Sequence, residues 1–289
     1  MKKHFCVLLL VWLSVCCVRP VIIAPSIPES VHLSLGNPSN AAESTADNYL
    51  MILPQYALSY NKAKGHANWV SWELSKDWIG TADRQDNFQP DETLPVNWYR
   101  VLPSDYTNSG FDRGHLCPSA DRTKTVADNS ATFLMTNMIP QAPELNRESW
   151  ARLEDYCRTL AQKNYRLYII AGTYGTGGEG SKGMANSIKN SVNVPAHKYK
   201  VIVAIPNFGT VNQISETTPV IAVDFPNQTS LTNNKSWASF ITTPSAIEKA
   251  AGVTFFTDVH PNVRAALRQE KFDPTDSVLG YFFDTPTQN

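Results

Sequence analysis

The sequence predicts an α+β fold built on an antiparallel sheet, and three observations predict it. Aromatic and β-branched runs between residues 48 and 74 are separated by turn residues, the pattern of a sheet meander with one buried face. Three further apolar runs, at 166–172, 198–205 and 220–225, read as buried strands. One long segment, 144–160, instead repeats its apolar residues at three- and four-residue steps, which is helical spacing.

Taken in order, residues 25–47 are rich in Pro, Ser, Asn and Ala and read as a linker or N-terminal arm, with a short strand and turn at 31–38. Strand runs at 48–53 and 56–60 are parted by Pro54, and Asn61-Lys62-Ala63-Lys64-Gly65 forms a hairpin turn into 67–74. Residues 83–91 are a polar loop that carries Arg84. The apolar run within 128–141 is interrupted by Asn137 and broken by Pro140. In the helix at 144–160, Trp150, Leu153, Cys157 and Leu160 form the apolar stripe. At about 100° per residue, Asn146, Glu154 and Arg158 fall within an arc of roughly 120° beside that stripe. Glu154 and Arg158 also have the spacing of a favourable i,i+4 ion pair. The glycine-rich stretch 172–183 lacks a GxxxxGK[ST] pattern and reads as a flexible surface connection. A short helix follows at 244–252, capped by Ser245 and ended by Gly252, then a second at 259–272.

The bulk numbers suit a folded chain: 289 residues, 42% hydrophobic and 18% charged. Met1-Lys2-Lys3-His4 precedes roughly 14 apolar residues, shorter than the about 18 to 20 of a membrane span. Residues 1–24 therefore read as an export leader, making the protein secreted or periplasmic with no membrane span in its mature form. Leu13-Ser14-Val15-Cys16 is a weak match to a lipid-attachment box. Three of the five cysteines lie in the leader, which leaves Cys117 and Cys157 as either one bridge or two packed thiols. Without Lys2, Lys3 and Arg19 the chain has 22 basic and 26 acidic residues, a net charge of −4. Bulk basicity therefore announces no nucleic-acid partner, and any such partner must be held by a local cluster of arginines.

The densest chemistry is Asp112-Arg113-Gly114-His115. A fixed cation that suits phosphate stands two residues from an imidazole that titrates near neutrality. Gly114 allows either a tight turn or a close approach by another segment. Asp112 can orient the arginine or accept N–H groups. There is no GxSxG, HExxH or CxxC. Phosphodiester hydrolysis needs an activated water, cations around the phosphate and help for the leaving oxygen. His115 suits the base, and Arg84, Arg113 and Arg158 suit the phosphates. Asn146 with Glu154 suits a hydrated Mg²⁺, which takes few protein ligands.

Asp112-Arg113-Gly114-His115, Thr136-Asn137-Met138-Ile139-Pro140-Gln141, Leu145-Asn146 and Trp150-Ala151-Arg152-Leu153-Glu154 occur in that order. Together they resemble the sugar-non-specific DNA/RNA endonucleases of the ββα-metal (His-Me finger) class, above all the exported cyanobacterial-type members. The likeness runs from about residue 49 to about residue 272, so 48–289 reads as the endonuclease domain. The resemblance implies a central antiparallel sheet with helices on both sides. It implies His115 as general base, Asn146 as the sole direct protein ligand of Mg²⁺ (or Mn²⁺), and Glu154 as holder of metal-bound water. Arg84 would stabilise the transition state, with Arg158 assisting, Arg113 positioning the loop or the phosphate, and Asn137 orienting the histidine. In such enzymes a metal-bound water protonates the leaving 3′ oxygen, giving 5′-phosphate ends.

The substrates implied are single- and double-stranded DNA and RNA, gripped by the phosphate backbone, with a protein inhibitor as a further partner. Arginines that hold phosphates carry no base information, which accounts physically for the lack of sequence preference. Cys117 departs from the family pattern, where alanine is more familiar. Two competing readings are a catalytically silent nucleic-acid-binding domain on the same fold and a phosphodiesterase confined to small substrates. The complete set of Arg84, Arg113, His115, Asn146, Glu154 and Arg158 argues against the silent domain.

Overall fold

Near-continuous apolar runs along the central strands give the sheet two apolar faces, because successive side chains point to opposite sides, and the chain covers both. The computed structural model describes residues 30–189, 192–275 and 279, so the expected leader lies outside the described residues. Seven strands form one antiparallel sheet: β1 (Tyr49–Ile52), β2 (Ala57–Asn61), β3 (His66–Leu74), β6 (Arg166–Tyr174), β9 (His197–Ile205), β10 (Val220–Pro226) and β11 (Ile241–Thr242), in that spatial order. Two small ribbons stand apart, β4 (Asp112–His115) with β5 (Met138–Gln141), and β7 (Gly178–Gly180) with β8 (Gly183–Ala185). The fold is α+β, and the strands expected at 48–74, 166–172, 198–205 and 220–225 are all present.

The helices are α1 (Val126–Ala131), α2 (Pro143–Leu145), α3 (Ala151–Gln162), α4 (Thr229–Thr232), α5 (Pro244–Ala251) and α6 (Pro261–Gln269). On one face of the sheet Trp72, Ile169, Ile202 and Val223 pack against Leu153, Cys157 and Leu160 of α3. On the other, Trp69, Ile170, Val201 and Ala222 pack against Ile247 of α5, Leu267 of α6, Phe255 and Phe256. Burying each such leucine contributes about 1.5–3 kcal/mol, so the apolar stripe fixes which edge of α3 is left to face the β4–β5 ribbon.

Several local expectations change. The stretch 31–38 is no strand: Val31–Leu33 is a 3₁₀ turn, and Gly36 takes a φ of +104°. From residue 30 on, the expected arm lies against the sheet, with Leu33, Leu35 and Ala41 in the second core. Pro140 does not end its element but sits inside β5, opposite Arg113, in a two-stranded ribbon where one missing donor is tolerated. The glycine-rich stretch is an ordered hairpin, β7–β8, rather than a flexible connection. It docks on the loop before β4, where Ser181 N–H donates to Gly110 O at 2.9 Å and Lys182 Nζ to Asn108 O at 2.7 Å. The N-cap of α5 is Thr243, which accepts from Ala246 N–H, not Ser245, while Gly252 ends that helix at φ +68° as expected.

Candidate active site

The β4–β5 ribbon sets the site. Its register places Asp112 opposite Gln141, Gly114 opposite Ile139 and His115 opposite Met138. Gly114 is required by a close approach: a Cβ there would lie 2.6 Å from Gln141 Cβ and 3.0 Å from its Cδ. Of the two roles open to this glycine in the sequence, room for a neighbouring segment is the one it fills. His115 ends the strand half-buried, with Phe133 edge-on at 5.0 Å and 88° and Phe88 tilted at 5.7 Å. Its pKa is lowered to about 3, most of all by burial and then, in order of size, by Arg84, Lys198 and Arg113. The imidazole is therefore neutral at neutral pH, with a lone pair available. A phosphate anion among those cations would offset their effect and raise its basicity.

Asn137 reaches the histidine through the main chain. Its side chain clasps the next peptide, accepting from Cys117 N–H at 2.9 Å and donating to Cys117 O at 2.8 Å, while Leu116 N–H donates to Asn137 O. Beyond it, buried Arg122 donates to the carbonyls of Gln55, Glu73 and Asp121 and ties the loop to the sheet. Asp121, held by Trp72 Nε1 at 3.0 Å, accepts from Arg158 at 3.0 Å. The sequence suggests a pair between Arg158 and Glu154, but Arg158 bonds Asp121 and Asp155, and Glu154 faces Lys200. Two carboxylates nearer the guanidinium take the place of the i,i+4 partner.

The helix carrying the remaining candidates is not uniformly α. A π segment, Asn146–Trp150, lies between α2 and α3. Each i→i+5 bond adds a residue to the turn, so the simple 100° phasing that places Asn146 beside Glu154 does not apply across it; π segments recur at functional sites. Asn146 nevertheless opens toward the ribbon, and its Nδ2 donates to Asp112 Oδ2 at 3.0 Å. A carboxylate only accepts, so this bond assigns the amide orientation and leaves the Oδ1 lone pairs free to ligate a cation. Asp112 also takes Nε and Nη2 of Arg147 at 2.9 and 2.7 Å, so the arginine it orients is Arg147 rather than Arg113.

Arg84, Arg113, His115, Asn146, Glu154 and Arg158 line one cleft of about 270 Å³. A second basin of about 340 Å³ shares Arg84, Arg113 and Asn146 and is walled by Phe88, Tyr106 and Phe111. Arg84 is exposed, donates to Asp86 and Ser119 and stacks over Phe133 at 4.9 Å. Arg113 is exposed and stacks over Phe88 at 4.3 Å. Among the described residues no group of three or more His, Cys, Asp or Glu could hold a metal ion. The cleft instead offers the amide Oδ1 of Asn146 and the carboxylate of Glu154. The Glu154 Oε1 is buried, makes no hydrogen bond and stands 3.6 Å from Lys200 Nζ. Burial raises the Glu154 pKa, opposed by Lys200, Arg158 and Lys198. Two hard oxygen donors beside three arginines suit a hydrated hard cation carrying phosphate rather than a fully protein-caged ion.

Sequence reasoning missed the buried layer behind this cleft. Lys198 and Lys200 were absorbed into a buried strand, but both point to the α3 side and lie over the Trp150 ring at 3.5 and 4.1 Å. The available signal was the alternation of two lysines in register with Ile202 and Ala204. Phe88 and Phe133, the walls around His115, carry no motif. Cys117 and Cys157 are both free buried thiols, and burial pushes each up to about 12.

The profile of the DNA/RNA non-specific endonuclease family matches residues 35–262. The chain belongs to this family. A nuclease of Nostoc sp. (strain PCC 7120) is 49% identical over 251 residues, covering 86% of this chain and 88% of that protein. Nuclease C1 of Cunninghamella echinulata is 33% identical, over 78% of this chain and 86% of its own length. Among solved structures, an EndoG in complex with EndoGI superposes with a TM-score of 0.67 at 24% identity. That match covers 81% of this chain and 95% of the solved one, and it shows the shared fold. Membership makes this non-specific endonuclease a phosphodiester hydrolase of nucleic acid.

Proposed function

We propose that this endonuclease requires Mg²⁺, with Mn²⁺ able to replace it, and cuts DNA and RNA of any sequence to 5′-phosphate products. The observation that carries the reading is the cleft itself. It gathers a neutral imidazole, three arginines and an amide oxygen whose nitrogen is already committed to Asp112. In this reading Asn146 Oδ1 would hold the metal, and Glu154 would accept hydrogen bonds from its waters. The bound metal would supply Lewis-acid polarisation of the phosphate and a source of ordered water.

His115 takes the proton of the attacking water. Arg84 stabilises the charge that builds on the phosphorane-like transition state, with Arg158 assisting. Arg113, stacked on Phe88, binds a neighbouring phosphate oxygen. Asn137 fixes the backbone that aims His115. The P–O3′ bond breaks, the leaving 3′ oxygen takes a proton from a water in the cleft, and phosphate stays on the 5′ end. End analysis tests this directly: polynucleotide kinase should label the fragments only after phosphatase treatment, and DNA ligase should rejoin them without kinase. Fragments labelled by kinase alone would contradict the cleavage polarity.

The leader pattern in residues 1–24 supports export to the periplasm or medium. The inhibitor described for the solved EndoG makes a dedicated protein inhibitor a partner to look for, since a cell that makes this enzyme holds it before export.

A further inference from the structure

Lys198 has no role in the reading above, yet it is fully buried directly beneath the proposed base. Its Nζ donates to the backbone O of His115 at 2.9 Å and to Gln141 Oε1 at 2.6 Å. The same Nζ also lies 3.5 Å from the centroid of the Trp150 ring. Gln141 occupies the space that a Cβ on residue 114 would need. A single donor on β9 thus bridges the last residue of β4 and the last residue of β5, Gln141, which pairs with Asp112.

We propose that Lys198 and Gln141 form a clamp that positions His115, with Lys198 as a positioning residue for the reaction. The inference rests on His115 being the base. Three features support it. The clamp holds the peptide of the reacting residue itself, not a remote turn. A buried lysine is a large desolvation cost to place under a strand unless it is fully engaged. Burial also pushes Lys198 well below the usual lysine range. An amine donates hydrogen bonds in either protonation state, so the geometry is held at any working pH. Gly114 and Gln141 then belong to one device: the glycine makes room for the amide, and the amide gives the lysine its second acceptor.

The test compares Lys198→Met, Gln141→Leu and Gln141→Glu with wild type and His115→Ala, all in the full chain. Plasmid cleavage is measured for kcat and KM, with thermal melts in parallel and assays held well below every midpoint. Gln141→Glu keeps the acceptor, and the Nε2 it replaces has no hydrogen-bond partner in the protein. Its kcat should stay within about threefold of wild type. Lys198→Met should lower kcat by about 10- to 100-fold with KM within about twofold, because a displacement of about 1 Å at the base costs of that order. Gln141→Leu should fall between, and the double variant Lys198→Met/Gln141→Leu should lose no more than Lys198→Met alone. A merely structural role would rank the variants by melting temperature instead. A folded Lys198→Met with wild-type kcat, or losses that add, would overturn the clamp. If Lys198→Met does not fold, equal kcat for Gln141→Leu and Gln141→Glu would overturn it. A fully active His115→Ala would instead bring down the base assignment, and the clamp with it.

Discussion

Replacing Gly114 by alanine tests how tightly the ribbon is built. The φ of Gly114 is not in the left-handed region, so an alanine there meets a steric problem rather than a backbone one. Its Cβ would lie 2.6 Å from Gln141 Cβ and 3.0 Å from Gln141 Cδ, against about 3.5–4.0 Å for relaxed carbon contacts. Gln141 Cβ is tied to the β5 backbone, which pairs with β4 from Gln141 back to Met138. The strands must therefore part by about 1 Å, or Gln141 must swing off Lys198. Parting the strands is overpacking that costs about 1–3 kcal/mol, and leaving the buried lysine short of an acceptor also costs about 1–3 kcal/mol. Either response, at about 1–3 kcal/mol, corresponds to a fall in Tm of roughly 3–12 °C for a chain of this size. Because His115 is the next residue, kcat should fall by about 100-fold. Circular-dichroism melts and plasmid cleavage at 20 °C measure both. A Gly114→Ala protein with Tm within about 2 °C and kcat within about twofold of wild type would refute the steric argument.

Cleavage of both DNA and RNA should slow steeply as salt rises from about 50 to 200 mM, because arginines on phosphates compete with counterions; a flat salt response would count against backbone recognition. Two imidazoles away from the cleft should make the fold acid-sensitive. His32 accepts from Glu73 N–H and bonds Pro54 O, His66 bonds Ala67 O, and burial lowers each to about 4 from an ordinary 6.5. The unfolded chain takes up these protons first, so their contribution is complete above about pH 6.5 and drains away as pH falls toward 4. At pH 5 the loss is about 2 kcal/mol per imidazole, and urea midpoints at pH 7.5 and 5 that coincide would contradict it. Cys117 and Cys157 should ignore a thiol reagent in the native protein, react once it is denatured, and leave activity the same with or without reductant; rapid native labelling would show that the core opens.

The strands and the long helix were legible because their signals are local. Residues such as Trp69, Val70 and Trp72, or Leu153, Cys157 and Leu160, declare their period within a few positions. The candidate residues were legible because a motif keeps them in order along the chain. What the sequence hid depends on distant partners. Lys198 meets the His115 carbonyl across 83 positions, and the alternation that puts it on the face of Ile202 and Ala204 says nothing of that partner. Asp112 sits next to Arg113 but binds Arg147 and Asn146, because the helix approaches the ribbon from that side. The π segment escaped because periodicity assumes one phase throughout, whereas the bulge changes phase where the metal ligand is proposed. The order in the glycine-rich stretch was equally invisible, since it comes from docking against Gly110 rather than from its own propensity.

Digestion of supercoiled plasmid and of RNA, with Mg²⁺ or with EDTA, by wild type, His115→Ala and Asn146→Ala tests the central claim most directly. The account predicts degradation of both nucleic acids only with metal, and a loss of orders of magnitude in either variant with the fold intact. Metal-independent cutting, or near-normal rates in folded His115→Ala or Asn146→Ala, would contradict it.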